Sequence, residues 1–106
     1  MSAEATSLSA DSRPLLVFFG ASQSGPARRM ESLIAHVARK ERARLRVMHV
    51  DVEEQPELAD RFRVTTIPTL VLVKDKRVVE RLERRVSAPR IEEMLEPHLD
   101  EALAAA

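Results

Sequence analysis

The sequence predicts an α/β domain in which a mixed central sheet is flanked by helices, with its elements in the order β-α-β-α-β-β-α. Short apolar or β-branched runs alternate with segments of helical periodicity through most of the chain, which is typical of strands joined by helices. Two later strand-like runs are separated by just four residues, which predicts a hairpin. The chain has 106 residues, 44% of them hydrophobic and 32% charged, as expected for one globular domain.

The first strand and helix have the clearest patterns. Residues 15–19 form a continuous apolar run between Pro14 and Gly20, which is typical of a strand buried on both faces. A helix is predicted from Pro26 to about Arg42, because one apolar stripe recurs at helical spacing. Its members are Met30, Leu33, Ile34, Val37 and Ala38. Ser24 and Pro26 are suited to the start of this helix.

A second strand and a short helix follow. Residues 45–52, LRVMHVDV, are rich in β-branched side chains and predict a strand. Within residues 53–63, apolar residues at helical spacing after Pro56 predict about two turns of helix. These residues are Leu58, Ala59 and Phe62.

The last part of the chain predicts a hairpin and a final helix. Strands at residues 69–73 and 78–82 are joined by residues 74–77, which lack the glycine of the strongest hairpin turns. The final helix opens at Ser87, and Pro97 should interrupt it because proline lacks a backbone N–H.

The charge balance disfavours several classes of partner. There are 17 basic and 17 acidic residues, so no net charge draws the chain to nucleic acid or to an anionic membrane. The longest apolar run is far shorter than the roughly 20 residues that span a bilayer. The first 13 residues lack the pattern of a secretory signal, so we expect a cytoplasmic protein. We assign residues 1–13 to a flexible tail, 14–103 to the domain and 104–106 to a frayed C-terminus.

The chain contains no cysteine, which excludes disulfides, thiolate metal ligands and thiol chemistry by its own residues. The three histidines, His36, His49 and His98, do not have the spacing of metal ligands. We therefore expect neither a metal nor another cofactor.

Several stretches, taken in order, resemble the thioredoxin family over residues 14–99. They are LLVFFGASQSGPARRM, HVDVEEQPELADRF, RVTTIPTLVLVKDKRVVERL and the final helix. The resemblance is closest at Gly25 and Pro26, at Asp51, and at the TIPT run of residues 66–69. It implies a thioredoxin-like fold in which Pro68 is a cis-proline that faces the active-site loop.

The resemblance ends where that family carries out its chemistry. The positions of its two active-site cysteines are occupied by Ser24 and Ala27, the preceding tryptophan by Gln23, and the buried acid by Phe18. A serine hydroxyl is far less acidic than a thiol and cannot replace the attacking or resolving cysteine. We therefore do not expect the chain to be a dithiol-disulfide oxidoreductase.

A second departure concerns the beginning of the fold. Full-length thioredoxins have a strand and a helix before the central strand, whereas 13 residues precede Pro14 here. We expect that first strand and helix to be missing, which would leave the edge of residues 45–52 unpaired. This edge is a candidate surface for a homodimer.

The candidate site is the former active-site groove. It combines the degenerate active-site loop of Gln23, Ser24, Gly25, Pro26 and Ala27 with the cis-proline loop of Thr66, Ile67 and Pro68, and its rim carries Arg28, Arg63 and Arg84. In thioredoxins this loop edge pairs with an extended substrate peptide, and main-chain hydrogen bonds of that kind need no cysteine. The resemblance favours a redox-inactive protein-binding or scaffolding module whose partner is an unidentified protein or peptide.

Each part of this site has a simpler interpretation. Ser24 lies at a helix N-terminus and could hold glutathione in a small-thiol transferase, but we favour the interpretation that it merely caps the helix. The TIP run could merely preserve the fold. The rim arginines, two of which (Arg63 and Arg84) stand where thioredoxins commonly have glycine, could contact an acidic partner or form a solvated face.

Overall fold

The computed structural model describes residues 13–99, and its elements follow the predicted order. The strands are β1 (Leu15–Gly20), β2 (Arg46–Asp51), β3 (Thr69–Lys74) and β4 (Arg77–Glu83). The helices are α1 (Gly25–Lys40), α2 (Pro56–Arg61) and α3 (Ala88–Leu95), and a 3-10 turn (Glu96–His98) follows. The predicted N-terminal tail, except Arg13, and the predicted C-terminal boundary at residue 103 lie outside the described residues.

The sheet is mixed, as predicted. Over residues 13–99 it has four strands in the order β2-β1-β3-β4; β1 and β2 are parallel, and the other two pairs are antiparallel. Gly20 lies opposite Asp51, while Thr69 lies opposite both Phe19 and Glu83. The segments that follow β1, β2 and β4, and the segment that precedes β3, therefore meet at one end of the sheet, which we call the site end.

The core has a layer on each face of the sheet, so β1 is buried on both sides, as its continuous apolar run predicts. On one face, Leu16, Phe18, Leu70 and Leu72 pack against Met30, Ile34 and Val37 of α1 and against Ile91, Met94 and Leu95 of α3. On the other face, Val17, Phe19, Val50 and Val71 are covered in part by Leu58, Phe62 and Val64.

The ends of the helices follow from local chemistry. Helix α1 ends two residues before the predicted Arg42, and the C-cap residue Glu41 donates its N–H to the carbonyl of Val37. Helix α3 ends at Leu95, and Pro97 lies in the 3-10 turn that follows, so the predicted interruption is confirmed. None of the helices in residues 13–99 has the length and apolar character needed to cross a bilayer.

An ion pair joins the two helices that cover the first face. Lys40 Nζ lies 2.9 Å from Glu92 Oε2, and the hydrogen bond and charge of this carboxylate raise the pKa of Lys40 above its ordinary value. Both side chains are largely exposed, so the contribution of the pair to stability is small.

The hairpin between β3 and β4 uses a tighter turn than the four-residue connection predicted. Lys74 and Arg77 are paired, which leaves Asp75 and Lys76 as the turn residues, with φ values of 54° and 65°. Two successive residues of positive φ are the mark of a type I′ turn, in which Asn and Gly are preferred. Here two charged residues adopt this conformation instead.

Candidate functional site

The degenerate loop connects β1 to α1 at the site end. Ser24 is the N-cap of α1, and its Oγ accepts a hydrogen bond of 3.2 Å from the N–H of Ala27. Gln23 is exposed, whereas Ala27 is buried in the core. Pro26 occupies the first turn, where its missing N–H costs nothing. The simpler interpretation of Ser24, a helix cap, is therefore directly supported.

The end of β1 packs closely against the start of α1. A Cβ added to Gly20 would lie 3.2 Å from the Cβ of Ala27, so β1 and α1 approach closely at this point. Phe18 is 3% exposed, and its ring meets that of His49 edge-on with 5.6 Å between the centroids. The position of the family's buried acid is thus occupied by an aromatic ring that forms part of the core.

The cis-proline loop lies beside the degenerate loop. The peptide bond between Ile67 and Pro68 is cis, which is the isomer that the resemblance implies. The hydroxyl of Thr69 donates to the carbonyl of Thr66 at 2.7 Å, and the N–H of Arg84 donates to the carbonyl of Pro68 at 2.7 Å. Within residues 13–99, the N–H and C=O of Ile67 take part in no hydrogen bond.

A shallow cleft opens next to this free backbone. It has a volume of about 190 Å³ and is lined by Val52, Val64, Thr65, Thr66 and Ile67. Val52 follows β2, whereas the other four residues precede Pro68, so the cleft separates two of the segments that meet at the site end. Its walls are largely apolar, and Ile67, whose N–H and C=O are unpaired within residues 13–99, is one of its lining residues.

The predicted rim arginines all lie near this end of the sheet and are exposed. Arg28 is in the first turn of α1, Arg63 follows α2, and Arg84 follows β4. Arg63 and Arg84 have φ values of 56° and 72°, the left-handed region that favours glycine. This agrees with their placement at positions where thioredoxins commonly have glycine.

One contributor to the site was not predicted from the sequence. Arg81 donates from Nη1 to the carbonyl of Phe62 at 2.7 Å and from Nη2 to the carbonyl of Arg63 at 2.6 Å. These bonds link β4 to the turn that follows α2 and so position the loop that leads to Ile67. The partners are 18 and 19 residues away in the chain, and no local pattern indicates such a contact.

The described residues do not form a metal site. Among residues 13–99, no group of three or more histidine, aspartate or glutamate side chains could hold a metal ion. A smaller cavity, about 110 Å³, lies between the end of β1 and β2 and is lined by Glu31, His49 and Asp51 among others. Asp51 Oδ1 already accepts the N–H groups of Glu53 and Glu54.

A search against family models decides the family. The model described as Thioredoxin matches residues 4–97. The chain belongs to the thioredoxin family. A thioredoxin of Mycobacterium tuberculosis is 36% identical to this thioredoxin-family chain over 78 residues, which cover 74% of the chain and 67% of that protein. Thioredoxin 1 of Nostoc is 29% identical over 86 residues, which cover 81% of this chain and 80% of that protein.

Solved thioredoxins have the same fold as this member of the family. Thioredoxin NaTrxh of Nicotiana alata superposes with a TM-score of 0.81 at 25% identity, covering 93% of this chain and 84% of that one. The thioredoxin of Fasciola hepatica gives a TM-score of 0.78 at 26% identity, and the superposition covers 92% of this chain and 93% of that one. The thioredoxin fold predicted from the sequence is thus confirmed, for a chain with no cysteine.

Proposed function

We propose that this chain is a redox-inactive thioredoxin-family domain that binds an extended segment of another protein along the cis-proline loop. The observation that carries the proposal is the free N–H and C=O of Ile67 beside an apolar cleft. A backbone donor and acceptor at a loop edge can add one strand from a partner, and a neighbouring pocket can hold one of its side chains.

Because the chain has no cysteine, we expect it to bind its partner without exchanging disulfides with it. Thiol-disulfide exchange proceeds through a mixed disulfide, and neither Ser24 nor Ala27 can form one. Ser24 instead caps α1, and Phe18 contributes apolar area to the core. An insulin-reduction assay should therefore give no turnover above the uncatalysed rate.

Selection from a displayed library of random peptides tests the binding proposal. Peptides recovered on the parent protein should shift the amide NMR signals of Thr65, Thr66 and Ile67. They should lose affinity for Ile67→Pro, which removes one backbone donor, and keep it for Ile67→Val, which does not. Circular dichroism must first show that Ile67→Pro is folded. Peptides that bind both variants equally, or a library that yields no binder, would contradict the proposal.

A homodimer through the β2 edge is a second candidate. Over residues 13–99, β2 pairs with β1 on one side alone, and Met48 on this strand is 38% exposed. Unpaired strand edges can pair with another copy. Light scattering should show a dimer that Met48→Lys dissociates and that Val79→Lys, on the opposite edge strand, does not. A monomer at every concentration would refute this candidate.

The small-thiol transferase predicted as an alternative has less support. The hydrogen bond that Ser24 accepts from the Ala27 N–H is explained by helix capping alone, and none of the cavities described here is lined by Ser24. Glutathione at millimolar concentration should leave the amide signals of residues 24–28 unchanged, and clear shifts there would revive the transferase. The cytoplasmic location also stays a prediction.

A further inference from the structure

Several exposed arginines near the site end are unpaired in the part of the chain that the structure describes. Within residues 13–99, the side chains of Arg28, Arg63 and Arg84 form no ion pair or hydrogen bond. The neighbouring Arg29 and Arg85 are also exposed and unpaired in this part of the chain. Within the same residues, Lys40, Arg44, Arg81 and Arg90 each form an ion pair with glutamate, whereas Arg42 and Arg77, at the opposite end of the sheet, are unpaired as well. The guanidinium groups at the site end are thus available to an external carboxylate.

Three of these arginines occupy positions that cost stability. Arg63 and Arg84 adopt left-handed backbone conformations, which cost non-glycine residues of order 1–2 kcal/mol. Arg28 lies in the first turn of α1, which has no acidic residue, so its charge opposes the helix dipole. Of the four non-glycine residues with a positive φ in residues 13–99, Arg63 and Arg84 lie at the site end, and Asp75 and Lys76 form the hairpin turn at the opposite end. Departures from local preference are expected at functional sites.

Two of them bracket the segment that we propose as the binding edge. Arg63 directly precedes Val64, and the N–H of Arg84 is bonded to the carbonyl of Pro68. Four residue steps separate Val64 from Pro68, which is at most about 13 Å in an extended chain. The apolar cleft lies along the same segment, since Val64 and Ile67 both line it.

We propose that the groove selects extended peptides in which an apolar residue lies between two acidic residues, at positions i, i+2 and i+4. This inference rests on the proposed function. Residues at this spacing point to the same side of an extended strand. The apolar side chain enters the cleft, and the two carboxylates reach Arg63 and Arg84, whose planar guanidinium groups can bind a carboxylate with two hydrogen bonds.

The acidic side chains on the other wall make the pattern more specific. Val52, which lines the cleft, directly precedes the exposed Glu53 and Glu54. A peptide carboxylate next to the apolar residue would point to the other side of the strand, away from Arg63 and Arg84, and the negative charge of these glutamates disfavours a continuous acidic run beside the cleft. The groove therefore distinguishes two separated acidic residues from a continuous acidic run.

A peptide fits these observations better than a single-stranded nucleic acid, although arginine binds phosphate as well. Nucleic-acid grooves of this kind stack bases on exposed aromatic rings. The chain has three phenylalanines and no tyrosine or tryptophan. Phe18 and Phe19 are buried, and Phe62 packs on Phe19 with 5.5 Å between the ring centroids. The free backbone of Ile67 is instead suited to a peptide strand.

Three peptides of equal length test the proposal by fluorescence anisotropy. The first is Gly-Glu-Thr-Leu-Thr-Glu-Gly, the second has Gln at both Glu positions, and the third, Gly-Thr-Glu-Leu-Glu-Thr-Gly, keeps the charge but moves it next to leucine. The first should bind about three- to tenfold more tightly than the others, as two exposed ion pairs allow. High salt should reduce this advantage.

Matched variants separate local recognition from net charge. The double variant Arg63→Gln, Arg84→Gln should abolish the preference for the first peptide. The double variant Arg42→Gln, Arg77→Gln removes the same charge from unpaired arginines at the opposite end of the sheet and should keep the preference.

Each other outcome is decisive. Equal binding of the three peptides, or equal losses in the two double variants, would overturn this proposal. So would tighter binding of oligothymidylate than of the first peptide through the same arginines. Library selection separates this from the proposed function: binders without the acidic pattern leave the proposed function intact, whereas a library that yields no binder on the parent contradicts both.

Discussion

The left-handed backbone at Arg84 predicts that replacing this residue with glycine makes the protein more stable but weakens its binding of the acidic peptide. Arg84 has a φ of 72°, and the hydrogen bond from its N–H to the Pro68 carbonyl does not depend on its side chain. In Arg84→Gly, relief of the left-handed conformation stabilises the fold by about 1–2 kcal/mol. The greater freedom of glycine in the unfolded chain offsets about 0.5–1 kcal/mol of this.

The net expectation is a gain of about 0.5–1 kcal/mol in the free energy of unfolding. For a domain of this size, that gain corresponds to a rise of about 2–8 °C in the midpoint of thermal unfolding. Far-ultraviolet circular dichroism followed through a thermal or urea transition measures it. The same variant should bind the acidic peptide more weakly, because one of the two guanidinium groups is gone.

The neighbouring Arg85 provides the control. Arg85 is exposed, carries the same charge as Arg84 and is not one of the described residues with a positive φ. Arg85→Gly therefore removes a charge without relieving strain, and it should lower stability by about 0.5–1 kcal/mol. If Arg84→Gly is destabilised as much as Arg85→Gly, then the left-handed backbone at Arg84 carries no cost, and the reasoning about the rim arginines is wrong.

Three further predictions concern the loop and the core. Ser24→Ala should lower the free energy of unfolding, measured by chemical denaturation, by about 1 kcal/mol, because it removes the cap of α1. Ser22→Ala, at an exposed position with no hydrogen bond in the described residues, should leave it unchanged. Equal losses in the two variants would contradict the capping role. Arg81→Met should lower the free energy of unfolding by about 1–2 kcal/mol in the same assay, because two carbonyls lose a charged donor. Hydrogen exchange of the amides in residues 62–66 should become faster. A loss no greater than that of Arg77→Met would argue against the link between β4 and the turn that follows α2. Phe18→Asp should cost about 3–5 kcal/mol at neutral pH, at least as much as truncating the ring. Burial raises the pKa of an aspartate at this position above its unfolded value of about 3.9. The stability of Phe18→Asp relative to Phe18→Asn should therefore be highest below a pH of about 3.9 and fall as pH rises through the folded pKa. A stability difference between these variants that does not change with pH would contradict a buried carboxyl.

The elements of the fold were predictable because their signals are local. The apolar run of β1, the stripe on α1 and the start at Ser24 and Pro26 all depend on neighbours within a few residues. The errors were small and had local causes as well. Helix α1 ended at Lys40 rather than Arg42, and the hairpin turn contracted to Asp75 and Lys76. Aspartate adopts the left-handed conformation more readily than most residues, but lysine has no such preference, so the pair does not indicate a two-residue turn.

The candidate site was predictable in part. The loop at Gln23 to Ala27 and the TIP run were found through the family resemblance, not through physical patterning. The cleft between Val52 and Val64 was not predicted, because its walls belong to separate segments that only sheet pairing brings together. Arg81 was missed for the same reason, since its partners are 18 and 19 residues away.

The sequence by itself determined the order of the elements and the absence of cysteine, because helix and strand patterns are local and a missing thiol is a matter of composition. The tertiary structure decided which charged side chains gather around the groove. Arg63 and Arg84 are 21 residues apart in the chain, and the pairing of strands β3 and β4 in the sheet brings both to the site end, on either side of the segment that we propose as the binding edge. That juxtaposition, and the unpaired backbone of Ile67 between them, depend on long-range contacts that no segment of the sequence encodes alone.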